Sequence, residues 1–152
     1  MLPTLARLLV VAISLLVCPG AAFALMPLAQ PEPFAGIDPG RSETFVGAWA
    51  IRIPTKEMGI PDTVLATCER PVRIKAADET HIFYLGPPET EADAAMELQR
   101  LNDGAMWEPI AGGPSFFAFW VGQDLFYLYD EVPQVEADWG YPYIYTRCAN
   151  ED

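Results

Sequence analysis

The sequence predicts a mainly β fold, an antiparallel meander of about eight strands that forms a small barrel or sandwich, with one helix near 90–102. The first observation is a series of short segments that are rich in aromatic and β-branched residues and bounded by Gly, Pro, Asp or Asn. The second is the composition, since 152 residues with 51% apolar and 12% aromatic residues can build one core and are untypical of a disordered chain.

The predicted strands follow one another with short connections. They are Phe45–Ile53, Thr63–Cys68, Val72–Ala76, His81–Leu85, Ala105–Ile110, Ser115–Val121, Asp124–Tyr129 and Tyr143–Cys148. Two neighbouring pairs are predicted to be hairpins, one turning through Asp78-Glu79 and the other through Gly122-Gln123. Such sequential pairing favours an antiparallel meander.

The single predicted helix interrupts these strands near 90–102. Thr90 is a suitable N-cap, Leu98 and Leu101 share one helical face, and Asn102 with Gly104 would end the helix. We expect this helix to pack across one face or one mouth of the barrel.

Residues 1–24 have the pattern of a secretory signal peptide. Arg7 supplies the positive charge, Leu8–Val17 is an apolar run that is too short to span a bilayer, and Ala22-Phe23-Ala24 is a cleavage site. We therefore predict a periplasmic or secreted protein. Two alternatives remain open, a retained N-terminal anchor and lipidation of Cys18.

The predicted mature chain has two parts. Residues 25–44 form a proline-rich N-terminal arm, and residues 45–152 form the disulfide-stabilised β-barrel domain. The arm is expected either to be a disordered leader or to lie on a partner or across the domain.

The charge balance excludes one class of partner. The full chain has a formal net charge of -12, with 9 basic against 21 acidic residues. Removal of Arg7 with the leader leaves 8 basic and 21 acidic residues, or -13. So acidic a protein is not expected to bind nucleic acid, and we expect no stable membrane insertion once the signal is cleaved.

Cys68 and Cys148 are the two cysteines that remain after cleavage. Export places them in an oxidising compartment, so a structural disulfide is expected, and no C-x-x-C motif points to redox activity.

Gly47-Ala48-Trp49 in the first predicted strand and Arg147 in the last form the most informative pattern. It resembles the calycin signature of lipocalins, in which G-x-W opens the first strand and an arginine of the last strand packs over the indole. A weaker resemblance connects the chain with the small exported barrels that inhibit bacterial metalloproteases. The resemblance implies structural roles for Gly47, Trp49 and Arg147, and it makes ligand binding and protease inhibition hypotheses.

The aromatic residues concentrate in the second half of the chain. Strand 115–121 is apolar on both faces, so its outer face needs a cover, which the helix, the arm or another protein would provide. The loop around Trp139 is either a recognition surface or packing over a barrel mouth. The candidate interaction surface consists of Phe117, Phe119, Trp139, Tyr141 and Tyr143.

Catalytic motifs are not apparent. His81 is the single histidine, no G-x-S-x-G motif is present, and we expect neither a cofactor nor a metal site. The acidic residues Asp130, Glu131, Glu136 and Asp138 are expected to form a solvated loop, with a calcium site as the alternative.

The functional hypothesis is accordingly a small exported, non-catalytic module that binds a protein partner or a small apolar ligand. An exported protease inhibitor is the alternative, and a hydrolase that uses acidic residues is a third. The barrel interior separates these hypotheses, because a large apolar cavity favours ligand binding and a filled interior favours protein interaction.

Overall fold

The computed structural model describes residues 30–55, 61–87 and 95–149, and most of them lie in one antiparallel sheet. A one-turn helix α1 (Ser42–Phe45) precedes the sheet. The strands are β1 (Gly47–Ile53), β2 (Thr63–Ala66), β3 (Val72–Ala76), β4 (His81–Leu85), β5 (Ala95–Leu101), β6 (Gly104–Pro109), β7 (Phe116–Gly122), β8 (Leu125–Tyr129) and β9 (Tyr143–Arg147). A 3-10 turn (Glu136–Gly140) lies between β8 and β9.

Eight of these strands close into a barrel. From β3 to β9 each strand pairs antiparallel with the next along the chain, and β1 pairs with both β3 and β9. In the closing pair Trp49 lies opposite Arg147, and Arg52 lies opposite Ile144. β2 is an extra strand that pairs with the second half of β1, on the edge of β1 whose first half pairs with β3. The predicted mainly β fold, a small closed antiparallel barrel, is therefore confirmed.

The interior follows from the two-residue alternation of each strand. Every barrel strand sends alternate apolar side chains inward, for example Ile82 and Tyr84 from β4 and Ala118 and Trp120 from β7. Large aromatic rings fill the half of the barrel next to α1, where Trp49, Trp107, Trp120, Phe45 and Phe126 are all buried. We call this half the closed end and the opposite end the mouth.

Helix α1 plugs the closed end. Phe45 is fully buried and meets the rings of Trp107 and Phe126 edge-on, at centroid distances of 5.1 and 5.4 Å. The Ser42 hydroxyl donates a hydrogen bond to the carbonyl of Asp78 in the β3–β4 turn. The predicted first strand began at Phe45, but Phe45 belongs to α1, because its side chain has to turn inward over the end of the barrel.

The predicted helix near 90–102 is wrong wherever the structure describes that segment. Ala95–Leu101 is strand β5, Asn102 lies in the turn that follows it, and residues 90–94 lie outside the described ranges. β5 forms ladders with both β4 and β6, and it buries Leu98 in the core. The preference of each of these residues for a helix over a strand amounts to only tenths of a kcal/mol, roughly. The backbone hydrogen bonds that β5 makes to β4 and to β6 outweigh this preference.

The described part of the N-terminal arm lies across the barrel. The backbone N–H of Phe34 donates a hydrogen bond to the carbonyl of Trp120 at 2.9 Å, and Ile37 packs against the core. Asp38 lies 3.6 Å from the guanidinium of Arg100 on β5. Residues 1–24, predicted to be a signal peptide, lie outside the described ranges, as do residues 25–29 of the predicted arm.

Cys68 and Cys148 are joined as predicted, with their Cα atoms 5.5 Å apart. Cys68 follows β2 and Cys148 follows β9, so the bridge connects the added strand with the last barrel strand. It therefore holds the outlying β2 to the barrel wall.

Candidate functional site

The three residues of the predicted signature meet at the closed end. The guanidinium carbon of Arg147 lies 4.2 Å from the ring centroid of Trp49, and the Trp49 N–H donates to the carbonyl of Phe45 at 2.9 Å. Arg147 also donates to the backbone carbonyls of Thr44 and Val46. A Cβ at Gly47 would lie only 2.7 Å from the Arg147 guanidinium, and φ there is +146°. This cluster fastens α1 to the barrel.

The mouth, by contrast, contains an apolar cavity of about 420 Å³. Its described walls carry no charged side chain, and every strand from β1 to β9 contributes at least one residue to them. The lining residues are Ile51, Leu65, Ala66, Val72, Tyr84, Gly86, Pro87, Met96, Trp107, Phe116, Leu128, Tyr143 and Tyr145. Protein sites for small molecules commonly have a volume of roughly 300–1,000 Å³ and mostly apolar walls.

Tyrosine hydroxyls supply polar groups to this cavity. The hydroxyl oxygens of Tyr84 and Tyr145 are 3.0 Å apart, and either can donate to the other. Burial raises the pKa of Tyr145 well above its ordinary value, and the neighbouring Tyr84 raises it further. Burial likewise raises the pKa of Tyr143, with a smaller effect from the nearby Asp130. The cavity is therefore lined by neutral hydroxyls at physiological pH.

Trp107 lies between the filled half of the barrel and the cavity. Its side chain is fully buried, and its indole N–H has no hydrogen-bond partner in the described part of the chain. A buried N–H without an acceptor is unfavourable by roughly 1–3 kcal/mol. Trp120, deeper in the core, has the same unsatisfied N–H.

A second group of aromatic residues packs on the outside of the barrel, and we call it the outer aromatic cluster. Trp139, in the 3-10 turn, lies over Phe119 and Tyr129 with ring centroids 5.1 and 5.4 Å away, and over Phe117 at 6.3 Å. The cover of strand 115–121 is therefore the segment after β8, and not the predicted helix, whose described part is β5.

The predicted interaction surface is divided among three environments. Phe117 and Phe119 are only 3% and 1% exposed beneath Trp139, so they offer no accessible surface. Tyr141 is exposed beside the 3-10 turn, whereas Tyr143 lines the mouth cavity. Trp139, Tyr141 and Tyr143 are close in sequence, but Tyr143 belongs to β9, which directs its side chain toward the barrel interior and away from Trp139.

His81 lies on the rim of the closed end. Its Nδ1 atom is 2.7 Å from a carboxylate oxygen of Asp78, which also accepts a hydrogen bond from the backbone N–H of Thr80 at 2.9 Å. The Thr80 N–H, followed by the His81 ring, holds the pKa of Asp78 below its ordinary value. These contacts order the β3–β4 turn.

The acidic loop is built around backbone contacts. The carboxylate of Asp138 accepts hydrogen bonds from the backbone N–H groups of Gln134 and Val135, at 3.0 and 3.2 Å. Within the described ranges, no group of three or more His, Cys, Asp or Glu residues is arranged to hold a metal ion. The carboxylate of Asp138 thus has a structural use in starting the 3-10 turn.

No protein-family model, no curated protein and no solved structure matches the chain. Among the described residues, neither helical segment has the length and the apolar character needed to cross a membrane.

Most of the cavity residues were not recognised as a site in the sequence. Tyr84, Met96 and Phe116 come from strands that are distant along the chain, and Met96 lay in the segment predicted to be a helix. One signal was available, because Tyr143 and Tyr145 alternate on β9 and Tyr84 occupies the same face of β4. Recognition of that signal required the order in which the strands pair.

Proposed function

We propose that this protein is an exported, non-catalytic binding protein that takes one small, uncharged, mainly apolar molecule into the mouth of its barrel. The observation that carries the proposal is the cavity of about 420 Å³, whose described walls are apolar and aromatic and carry no charge. The resemblance of Gly47, Trp49 and Arg147 to the calycin signature agrees with such a role, although it concerns the closed end.

The walls favour an uncharged ligand for a simple reason. A charged group that leaves water without a partner loses far more solvation free energy than the apolar walls return. A flat aromatic or aliphatic body can instead stack on rings such as Phe116 and Tyr143, and each Å² of buried apolar surface contributes roughly 25 cal/mol. A single hydrogen-bonding group on the ligand would find the hydroxyls of Tyr84 and Tyr145 in the wall.

The packing of the closed end gives the cavity a filled floor. The aromatic cluster around Phe45 and Trp49 fills the closed end of the barrel. The disulfide holds β2, which contributes Leu65 and Ala66 to the cavity wall. A preformed site loses little conformational entropy when the ligand binds. Export is supported by the pattern of residues 1–24 together with the disulfide.

Two related dyes test the proposal. N-phenylnaphthylamine is uncharged, and anilinonaphthalene sulfonate adds a sulfonate to the same ring system. We expect saturable fluorescence enhancement with one molecule of the uncharged dye per chain, and binding of the sulfonated dye that is weaker by at least about tenfold.

Two methionines provide a matched pair of variants. Met96 lines the cavity, whereas Met106 packs in the outer aromatic cluster. Met96→Trp fills the cavity and should weaken binding of the uncharged dye by at least about tenfold, whereas Met106→Trp should leave it unchanged. Absence of saturable binding, or an equal loss in the two variants, would refute the proposal.

A further inference from the structure

The outer edge of β2 distinguishes this strand from its neighbours. Each of the eight barrel strands has a strand on both of its edges, because β1 pairs with β9 and closes the ring. β2 pairs with β1 alone, through Ile51, Arg52 and Ile53, and no other described strand lies on its second edge. The barrel therefore leaves one open strand edge in the described part of the chain.

Among the described residues, this edge carries no charge, no proline and no covering strand, although β2 is only 4 residues long and its pairing with β1 shifts in register. Natural edge strands are protected by short length, bulges, charged side chains, prolines or a covering segment. β2 reads Thr-Val-Leu-Ala, with neither a charge nor a proline. Val64 is 62% exposed and Leu65 is 50% exposed. A short, uncharged edge with exposed apolar side chains is typical of a site that accepts another strand.

A shallow groove accompanies the edge. It has a volume of about 220 Å³ and is lined by Val64, Leu65, Ala66, Thr67, Arg70 and Pro87. Arg70 is exposed, and within the described ranges no carboxylate lies within ion-pair distance of it, whereas Arg52 and Arg100 face Asp62 and Asp38. The groove thus combines apolar side chains with one cation that is available to an acidic group.

The edge is also held in place before any partner binds. Cys68, two residues after β2, is bridged to Cys148 after β9, and Thr67 pairs with Arg70 in the turn to β3. An ordered edge avoids much of the entropy loss that accompanies strand addition to a mobile segment.

We propose that the outer edge of β2 is a docking site for an extended peptide segment of another protein, which adds to the sheet as a strand. Its main chain hydrogen-bonds to β2, its apolar side chains contact Val64 and Leu65, and an acidic side chain faces Arg70. A second copy of this chain is a poorer occupant, because two molecules of net charge -12 repel each other. This site adjoins the mouth cavity, because Leu65, Ala66 and Pro87 line both, whereas Val64 and Arg70 belong to the groove and not to the cavity lining.

Selection from a library of random displayed peptides tests this proposal. We expect enrichment of peptides in which apolar residues alternate and an acidic residue recurs at a fixed position. In the native protein, a synthetic copy of an enriched peptide should slow amide hydrogen exchange in 63–66. Slowing confined to other strands, or no enrichment, would overturn the proposal.

Two exposed residues supply a matched comparison. Val64 and Ile110 are both 62% exposed, but Ile110 lies after β6, away from β2. Val64→Lys should weaken peptide binding by at least about tenfold, because a charged edge resists strand addition, and Ile110→Lys should not. Arg70→Glu should weaken binding of acidic peptides selectively.

Self-association is the competing outcome. If the native protein is a dimer by light scattering and Val64→Lys makes it a monomer, the occupant is a second copy and the proposal of a foreign peptide is wrong. If Val64→Lys lowers the folded fraction, amide hydrogen exchange of the wild-type protein with an enriched peptide still tests whether the peptide binds at 63–66. Dye binding in the mouth should be unaffected by Val64→Lys, so failure of one site does not imply failure of the other.

Discussion

The guanidinium of Arg147 lies over the indole of Trp49, 4.2 Å from its centroid, and the two residues are direct neighbours across the strands that close the barrel. The same guanidinium donates to Thr44 and Val46 on either side of Phe45 and to the carboxylate of Asp124. One side chain therefore joins the first strand, the last strand and the helix that plugs the closed end.

Replacement of Arg147 by Lys should destabilise the protein by about 2 kcal/mol, because an ammonium cannot stack on the ring and bond two separated carbonyls at once. Urea unfolding measures the change. Arg100→Lys is the control, since Arg100 is exposed 3.6 Å from Asp38 and should change stability by no more than about 0.5 kcal/mol. Equal effects of the two substitutions would contradict a special role for Arg147.

Trp139 should be required to shield the outer aromatic cluster from solvent. Trp139→Ala removes the ring that lies over Phe119 and Tyr129, so we expect a loss of about 2–3 kcal/mol and an increased tendency to aggregate. Thermal unfolding and light scattering report the two effects. Tyr141→Ala, at a more exposed side chain nearby, should change little, and an unchanged Trp139→Ala protein would show that the cover is dispensable.

The disulfide should contribute strongly to stability. The bridge spans a sequence separation of 80 residues. In the chain-entropy treatment a loop of that size stabilises by about 4.5 kcal/mol, so the Cys68→Ala/Cys148→Ala protein should unfold at much lower urea concentration. Thiol titration of the denatured, unreduced protein should detect no free thiol at these positions. Two reactive thiols there would refute the bridge.

Stability should fall at alkaline pH, partly through Tyr145. Its pKa is raised in the folded protein by burial, so ionisation is easier in the unfolded chain. The corresponding stability is fully present below about pH 10, the ordinary tyrosine pKa, and is lost as the pH rises through the folded value.

Tyr145→Phe keeps the ring that stacks on Phe126 at 4.5 Å but removes the ionisable hydroxyl. The free energy of unfolding of this variant should therefore decline less steeply above about pH 10 than that of the wild type. Tyr129 and Tyr143 also have raised pKa values, so a slope should remain. Tyr141→Phe is the control, and identical slopes for Tyr145→Phe and the wild type would contradict the assignment.

Local patterns were sufficient for most strands. Val72–Ala76 and His81–Leu85 have the predicted bounds, and the other predicted strands agree within a few residues, because β-branched and aromatic runs bounded by turn residues have few alternatives. Segment 95–101 was predicted wrongly for the opposite reason. Its Ala, Met, Glu, Leu, Gln and Arg residues favour a helix, and only its two neighbours in the barrel make it a strand.

The candidate site was less accessible to sequence reasoning. The pairing of Cys68 with Cys148 was predicted because only two cysteines follow the predicted leader, and the contact of Trp49 with Arg147 was expected from the resemblance to the calycin signature. The mouth cavity is a space between side chains from many strands. Its volume depends on how far the rings of the closed end fill the barrel, which no pattern along the chain expresses.

By itself, therefore, the sequence determined the fold class, most strands and the disulfide pairing, because each depends on local periodicity or on a small set of possible partners. The contact of Arg147 with Trp49 was an expectation from the resemblance to the calycin signature. Tertiary structure alone decided that 95–101 completes the barrel, that Trp139 covers Phe117 and Phe119, and that β2 has a second edge on which no strand of the described residues pairs. These outcomes depend on which strands are neighbours and on which rings compete for the same interior volume. Both are properties of the assembled barrel, which no single segment carries.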